Sequence, residues 1–174
     1  MKSLFIVFII AGCFHVSAQT AEKVKWYTLD EALKLNATAP RKILIDMYTD
    51  WCGFCKKMDA ETFNHPVVAK YINKHFYAVK FDAESSAPVK FGDHTFVNQG
   101  SGGSRKSTHQ FATAFGVSGY PTIVYLTGDL KLIGAVPGFM APKQIEPLLH
   151  FIVEEQYRNN ISLEDYQKTF VSEL

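Results

Sequence analysis

Cys52 and Cys55, three positions apart, are the residues of this chain with the most chemistry to offer. They follow a short apolar run, Ile43 to Tyr48, and stand at the head of a segment rich in helix formers (Lys56, Met58, Ala60, Glu61). That places a sulfur in the first turn of a helix, where unpaired backbone N–H groups and the helix dipole favour a thiolate. Cys52 is expected to have a lowered pKa and to attack as the nucleophile. Cys55, one turn deeper, is placed to resolve a mixed disulfide by attacking Cys52. Trp51 and Phe54 flank the pair with flat apolar surface suited to an extended polypeptide. Two other uses of such a pair stand beside this one. A structural zinc site needs four ligands, but the chain has no second C-x-x-C, and His94 and His109 lack ligand spacing. An inert structural disulfide closing so short a loop would remove little unfolded-state entropy, although exported proteins do hold such bridges.

The elements that must position the pair are legible around it. Thr28-Leu29-Asp30-Glu31 reads as a capping box opening a helix that ends between Asn36 and Pro40. Ile43 to Tyr48 is short and nearly continuous in apolar residues, as a buried central strand should be. After the cysteines, Pro66 suits the first turn of a second helix through about Lys74, and Phe76 to Phe81 is another strand. Strand, helix, strand in that order predicts two adjacent parallel strands. A helix is expected from about Thr108 to Phe115 with Gly116 as its stop, then strands Thr122 to Leu126 and Lys131 to Val136 joined through Thr127-Gly128-Asp129. Pro142 opens a last amphipathic helix, with Ile145, Leu148, Leu149, Ile152 and Val153 on one face.

Two segments fall outside that plan. Residues 84–107 form an insertion holding a possible hairpin, Val89 to Val97, around Gly92-Asp93, a type II′ candidate with Gly first. Gly100 to Ser104 then reads as a flexible loop. Residues 156–174 form a tail in which Ser162 caps a helix with Asp165. Leu163, Tyr166, Phe170 and Leu174 share a face that packs on the domain or on a partner.

The first eighteen residues have the anatomy of a secretory leader: Lys2, an uncharged apolar run from Leu4 to Ala11 too short to span a bilayer, and Val16-Ser17-Ala18 as a small-residue cleavage site. Cleavage after Ala18 leaves Gln19 first and removes Cys13, so Cys52 and Cys55 become the only cysteines. The alternative is a lipid anchor, since Ile10-Ala11-Gly12-Cys13 resembles a lipobox. With 174 residues, 47% apolar and 20% charged, the chain suits one globular domain with small additions. A formal net charge of +1 gives no electrostatic case for nucleic acid or an anionic membrane as partner. Nucleotide and phosphate motifs are lacking.

The run from Asp46 through Trp51-Cys52-Gly53-Phe54-Cys55-Lys56 resembles the active-site strand and loop of the thioredoxin superfamily. Continued through Lys57-Met58, Glu61-Thr62-Phe63 and Pro66-Val67, it resembles the C-terminal thioredoxin-like domain of DsbD, the bacterial transmembrane reductase, and its stand-alone exported relatives. The resemblance covers about residues 28–155 without the insertion, the usual size of one such domain. It implies a thioredoxin-like α/β fold with a central mixed sheet of about four strands, helices on both faces, and a domain over 19–155 followed by a helical extension. It implies that Asp46 is a buried acid assisting deprotonation of Cys55, and that Lys80, in the next strand, sits near that acid. It implies that Tyr120-Pro121-Thr122 is a cis-proline loop in which Tyr120 and Pro121, with Trp51, Gly53 and Phe54, receive substrate. Gly53-Phe54 stands where thioredoxin itself has Gly-Pro.

The expected activity is dithiol–disulfide exchange with disulfide-containing exported proteins, in the reducing direction, in the periplasm. A DsbD-like membrane protein would be the electron donor, and no organic cofactor or metal is implied. The rivals are a disulfide oxidase or isomerase, and a binding module whose disulfide is inert.

Overall fold

The computed structural model describes residues 22–100 and 107–174. The leader expected over 1–18, with Cys13 and Gln19, and positions 101–106 of the insertion loop lie outside the described residues.

Among the described residues, seven strands and six α-helices follow one another: β1 Trp26–Tyr27, α1 Leu29–Thr38, β2 Lys42–Tyr48, α2 Gly53–Met58, α3 Pro66–His75, β3 Phe76–Asp82, β4 Val89–Phe91, β5 His94–Phe96, α4 Gln110–Ala114, β6 Thr122–Leu126, β7 Leu132–Pro137, α5 Pro142–Val153 and α6 Leu163–Thr169. A π-helical turn, Asp59–Phe63, continues directly from α2, and a 3-10 turn, Gln156–Asn159, links α5 to α6. The central sheet has the order β1-β3-β2-β6-β7. β1, β3 and β2 run parallel, while β6 and β7 are antiparallel additions. The sheet is mixed, as expected, with five strands where the sequence reading had about four. The fifth, β1, is two residues long and carries no periodicity to detect.

Alternation along β2 divides the core. Ile43, Ile45 and Met47 face the layer that holds Leu29 and Ala32 of α1 and Phe111 and Ala112 of α4. Leu44 faces the other layer, with Val68 and Ile72 of α3 and Ile145 and Leu149 of α5. Asp46, two residues on from Leu44, is therefore an acid on a core-facing side of the sheet.

Local signals explain several boundaries. Thr28 and Glu31 form the expected capping box at the head of α1. Gly116 takes a left-handed φ of 73°, donating its N–H to Thr113 O while Val117 N–H donates to Ala112 O, the paired bonds of a Schellman stop. Gly92, at φ 60°, turns the β4–β5 hairpin, as the expected type II′ turn requires of its first residue. In the β6–β7 connection the left-handed residue is Leu130, one beyond the expected Thr127-Gly128-Asp129.

The tail packs on the domain. Ser162 caps α6, Leu163 and Tyr166 join the α3–α5 layer, and Phe170 meets the His150 ring edge-on at 4.9 Å. Leu174 leaves the expected helical face, because α6 stops at Thr169. Beyond it the chain runs to Glu146 of α5, whose carboxylate accepts from Ser172 Oγ and the Glu173 N–H.

Candidate redox site

β2 delivers the site to the end of the sheet, and α2 carries it away. Cys52 is the residue capping α2, and its Sγ accepts the Cys55 N–H at 3.0 Å. The two sulfurs are bonded to each other at 2.06 Å. Both cysteines are buried, whereas Trp51 and Phe54 are 67% and 62% exposed. Gly53 leaves the approach open, since a Cβ there would meet nothing within 4 Å.

Each exposed aromatic leans on a neighbour. Trp51 packs edge-on to Tyr120 at 6.0 Å and donates its indole N–H to Glu84 Oε1 at 3.1 Å. Phe54 lies 6.5 Å from Phe139, over whose ring Lys57 Nζ sits at 4.8 Å. The Tyr120–Pro121 peptide is cis. Pro121 is buried and its carbonyl accepts from Gly138 N–H, which ties the loop to the end of β7.

Asp46 and Lys80 lie side by side in the β2–β3 register. Lys80 Nζ donates to Asp46 Oδ2 at 2.7 Å and also to Asp59 Oδ1. The other Asp46 oxygen, Oδ1, is buried without a hydrogen-bond partner. Burial pushes the Asp46 pKa up to about 6, against the opposing pull of Lys80. Burial also works against the Lys80 charge, but Asp46 and Asp59 outweigh it and hold the ammonium above its ordinary range. The rings of Tyr48, Trp26 and Phe63 surround that ammonium at 4.9, 5.0 and 5.8 Å.

Of the residues expected at the site, Cys52 and Cys55 are bonded to each other, Asp46 and Lys80 are paired, Trp51 packs on Tyr120, Phe54 lies near Phe139, and Tyr120 and Pro121 share the cis peptide. Asp59 and Glu84 were not anticipated. Asp59 reads as one more polar residue of a helix. The π turn that follows α2 accompanies its turn toward Lys80. Among the described residues, no group of three or more His, Cys, Asp or Glu could hold a metal ion.

The model of the thioredoxin-like domain family matches residues 29–152, and the chain belongs to that family. Human protein disulfide-isomerase TMX3 is 32% identical over 123 residues, which are 71% of this chain and 21% of that protein. Thiol:disulfide interchange protein DsbD of Pectobacterium atrosepticum is 26% identical over 112 residues, 63% of this chain and 16% of that one. The chain therefore spans about a fifth of the length of the curated relatives it matches. Among solved structures, a thioredoxin from Thermus thermophilus superposes with a TM-score of 0.56 at 19% identity, over 75% of this chain and 87% of that one. A thioredoxin-fold protein from Helicobacter pylori gives 0.56 at 22%, over 74% and 79%. These two speak for the fold alone. The chain is a thioredoxin-fold, oxidoreductase-like protein with a Cys52–Cys55 disulfide.

Proposed function

We propose that this protein is an exported thiol–disulfide oxidoreductase that reduces disulfides in other exported proteins. The observation that carries the reading is a disulfide at the start of α2, reached by a strand, β2, that carries a buried carboxyl, Asp46, whose pKa, about 6, is raised toward the working range of a proton acceptor. In the dithiol form the Cys52 thiolate attacks one sulfur of a substrate disulfide and expels the other as a thiolate. Asp46 takes the proton from Cys55, directly or through water. The Cys55 thiolate then attacks Cys52 Sγ, so the second substrate sulfur leaves reduced and the Cys52–Cys55 bond forms. Two electrons pass to the substrate, and a dithiol donor must return them. Trp51, Phe54 and Tyr120 give a substrate segment apolar surface, and the Tyr120–Pro121 loop gives it backbone to pair with. Lys80 limits how far burial raises the Asp46 pKa.

The similarity to DsbD supports the reducing direction and a DsbD-like membrane donor. It also supports a periplasmic location; the leader anatomy supports a mature chain starting at Gln19, with a domain over 19–155 and an extension over 156–174. Among the described residues no helix is long and apolar enough to cross a membrane. A second reading, disulfide isomerase, is favoured by the 32% identity to a protein named as one. The reduction potential of the pair, measured against defined thiol buffers, decides. A value near about −270 mV supports the reductase, near about −180 mV the isomerase, and near about −120 mV an oxidase. A pair that never exchanges would leave only a binding module. Mass spectrometry of the exported chain tests the leader: Gln19, free or cyclised, supports it, and a lipidated Cys13 replaces it with an anchor.

A further inference from the structure

The insertion touches the candidate site at both of its ends. At its start, Glu84 accepts the indole N–H of Trp51 at 3.1 Å. Just past its finish, Thr108 Oγ1 lies 3.4 Å from the Tyr120 hydroxyl. Trp51 and Tyr120 in turn pack edge-on against each other at 6.0 Å. The two ends are joined by a backbone bond from His109 N–H to Ala83 O at 2.7 Å and by one half-buried side chain, Asn98. Its amide Nδ2 donates to Glu84 O, Ser85 O and Ser107 O at 3.2, 3.0 and 2.8 Å. Its Oδ1 accepts from Ser107 Oγ and from Gly100 N–H. Asn98 thereby makes five polar contacts, four of which cross the neck of the insertion.

The hairpin beyond that neck is fixed independently. Phe91 and Phe96 each pack 5.5 Å from the buried Phe111 ring. Buried His109 accepts the Phe111 N–H at Nδ1, which leaves Nε2 to donate to Ala87 O at 3.1 Å. The hairpin therefore stays docked by apolar contact when Asn98 changes, and Asn98 is the side chain that ties Glu84 and Ser85 to Ser107 across the neck.

We propose that Asn98 is a positioning residue that fixes the Trp51–Tyr120 aromatic wall, and that it thereby favours polypeptide disulfides over small ones. The inference rests on the exchange reaction proposed above. A side chain as exposed as Trp51 samples several rotamers unless something holds it, and ordering it on binding weakens affinity for a substrate that must lie along it. A small disulfide reaches the sulfurs over Gly53 and needs no wall. Opening the neck should therefore act on KM for a protein substrate and leave the sulfur chemistry alone.

The test compares wild type, Asn98→Ala, Glu84→Ala and Glu84→Gln, each first checked by thermal unfolding. With dithiothreitol as reductant, turnover of insulin and of hydroxyethyl disulfide is measured alongside the reduction potential of the pair. Asn98→Ala should raise KM for insulin roughly tenfold, as the loss of one or two ordered side chains implies. Its kcat, its rate with hydroxyethyl disulfide and its potential should stay within about twofold of wild type, the resolution of such assays against a tenfold effect. Glu84→Ala should do the same through Trp51 if Asn98→Ala does not fold, and Glu84→Gln, which keeps an acceptor for the indole, should restore KM. Variants that match wild type on insulin, or that lose both substrates equally, overturn the role of Asn98 while the exchange reaction stands. A wild type inert toward both disulfides overturns the exchange reaction and this inference with it.

Discussion

Lys80 donates to Asp46 through one carboxylate oxygen at 2.7 Å, while the other oxygen is buried with no hydrogen-bond partner. The pair is thus half satisfied, and burial prevails over the lysine in setting the Asp46 pKa at about 6. A carboxyl near 6 in the folded chain and near about 4 in the unfolded one binds its proton more tightly when folded. The stability this contributes is fully present below pH ~4 and is lost as pH rises through about 6. Asp46→Asn should therefore stabilise the oxidised protein at pH 7–8 by up to about 3 kcal/mol, less whatever Lys80 loses. The gain should vanish below about pH 4. Thermal unfolding of both proteins across that range checks the sign. A difference that does not change with pH would show that Asp46 is not the titrating group. In turnover the same variant should resolve its mixed disulfide roughly 10²-fold more slowly, the low end for loss of a general base.

Asp59 and Lys80 should move the Asp46 titration in opposite directions. Lys80 lowers that pKa and Asp59 raises it. Lys80→Met should push it above about 6, while Asp59→Asn removes a like charge and leaves the ammonium to Asp46 alone, drawing it down. Carboxyl chemical shifts followed through a pH titration report both. Shifts of the same sign in the two variants would mean that Lys80 does not mediate between the acids.

The two cysteines should not be equivalent. Cys52 caps α2 and lies between the exposed residues Trp51 and Gly53, whereas Cys55 is on the buried face of the helix. Cys55→Ser should accumulate a covalent adduct with a disulfide substrate, and Cys52→Ser should accumulate none and lose all turnover. Mass spectrometry under non-reducing conditions distinguishes the adducts. An adduct through Cys55 in the Cys52→Ser protein would reverse the assigned order of attack.

The longer strands and the C-x-x-C helix are readable because each rests on a local pattern, whereas the pairing of Asp46 with Lys80 comes from the family resemblance. Ile43 to Tyr48 is too apolar to be anything but buried, and an acid within it draws attention to itself. What escaped lacks local signature. β1 has two residues and exists through its pairing with Ala78 and Val79 of β3, fifty positions away. Asp59 was visible as a residue but not as a partner, since its direction follows from a π turn that helix propensity does not foresee. Glu146 stands next to Ile145 on the apolar side of α5. Nothing nearby in the sequence says that the chain returns from beyond α6 to bond it.

That return makes the last prediction. Glu146 is 3% exposed, and its two oxygens accept from Ser172 Oγ at 2.5 Å and Glu173 N–H at 2.7 Å. α6 is held separately, through Leu163, Tyr166 and the Tyr166 hydroxyl on Glu154 at 3.0 Å. Removing the carboxylate should therefore release residues 171–174 without releasing α6. Glu146→Ala should raise amide exchange and protease cleavage in those last residues and cost about 1.5–3 kcal/mol, the range for hydrogen bonds to a charged group. Ser172→Ala should cost less, because the Glu173 N–H still reaches the carboxylate. Glu146→Gln should fall between, since the neutral amide keeps a single acceptor oxygen. If exchange in residues 171–174 is as slow in Glu146→Ala as in wild type, apolar packing and not the buried carboxylate holds the end of the chain.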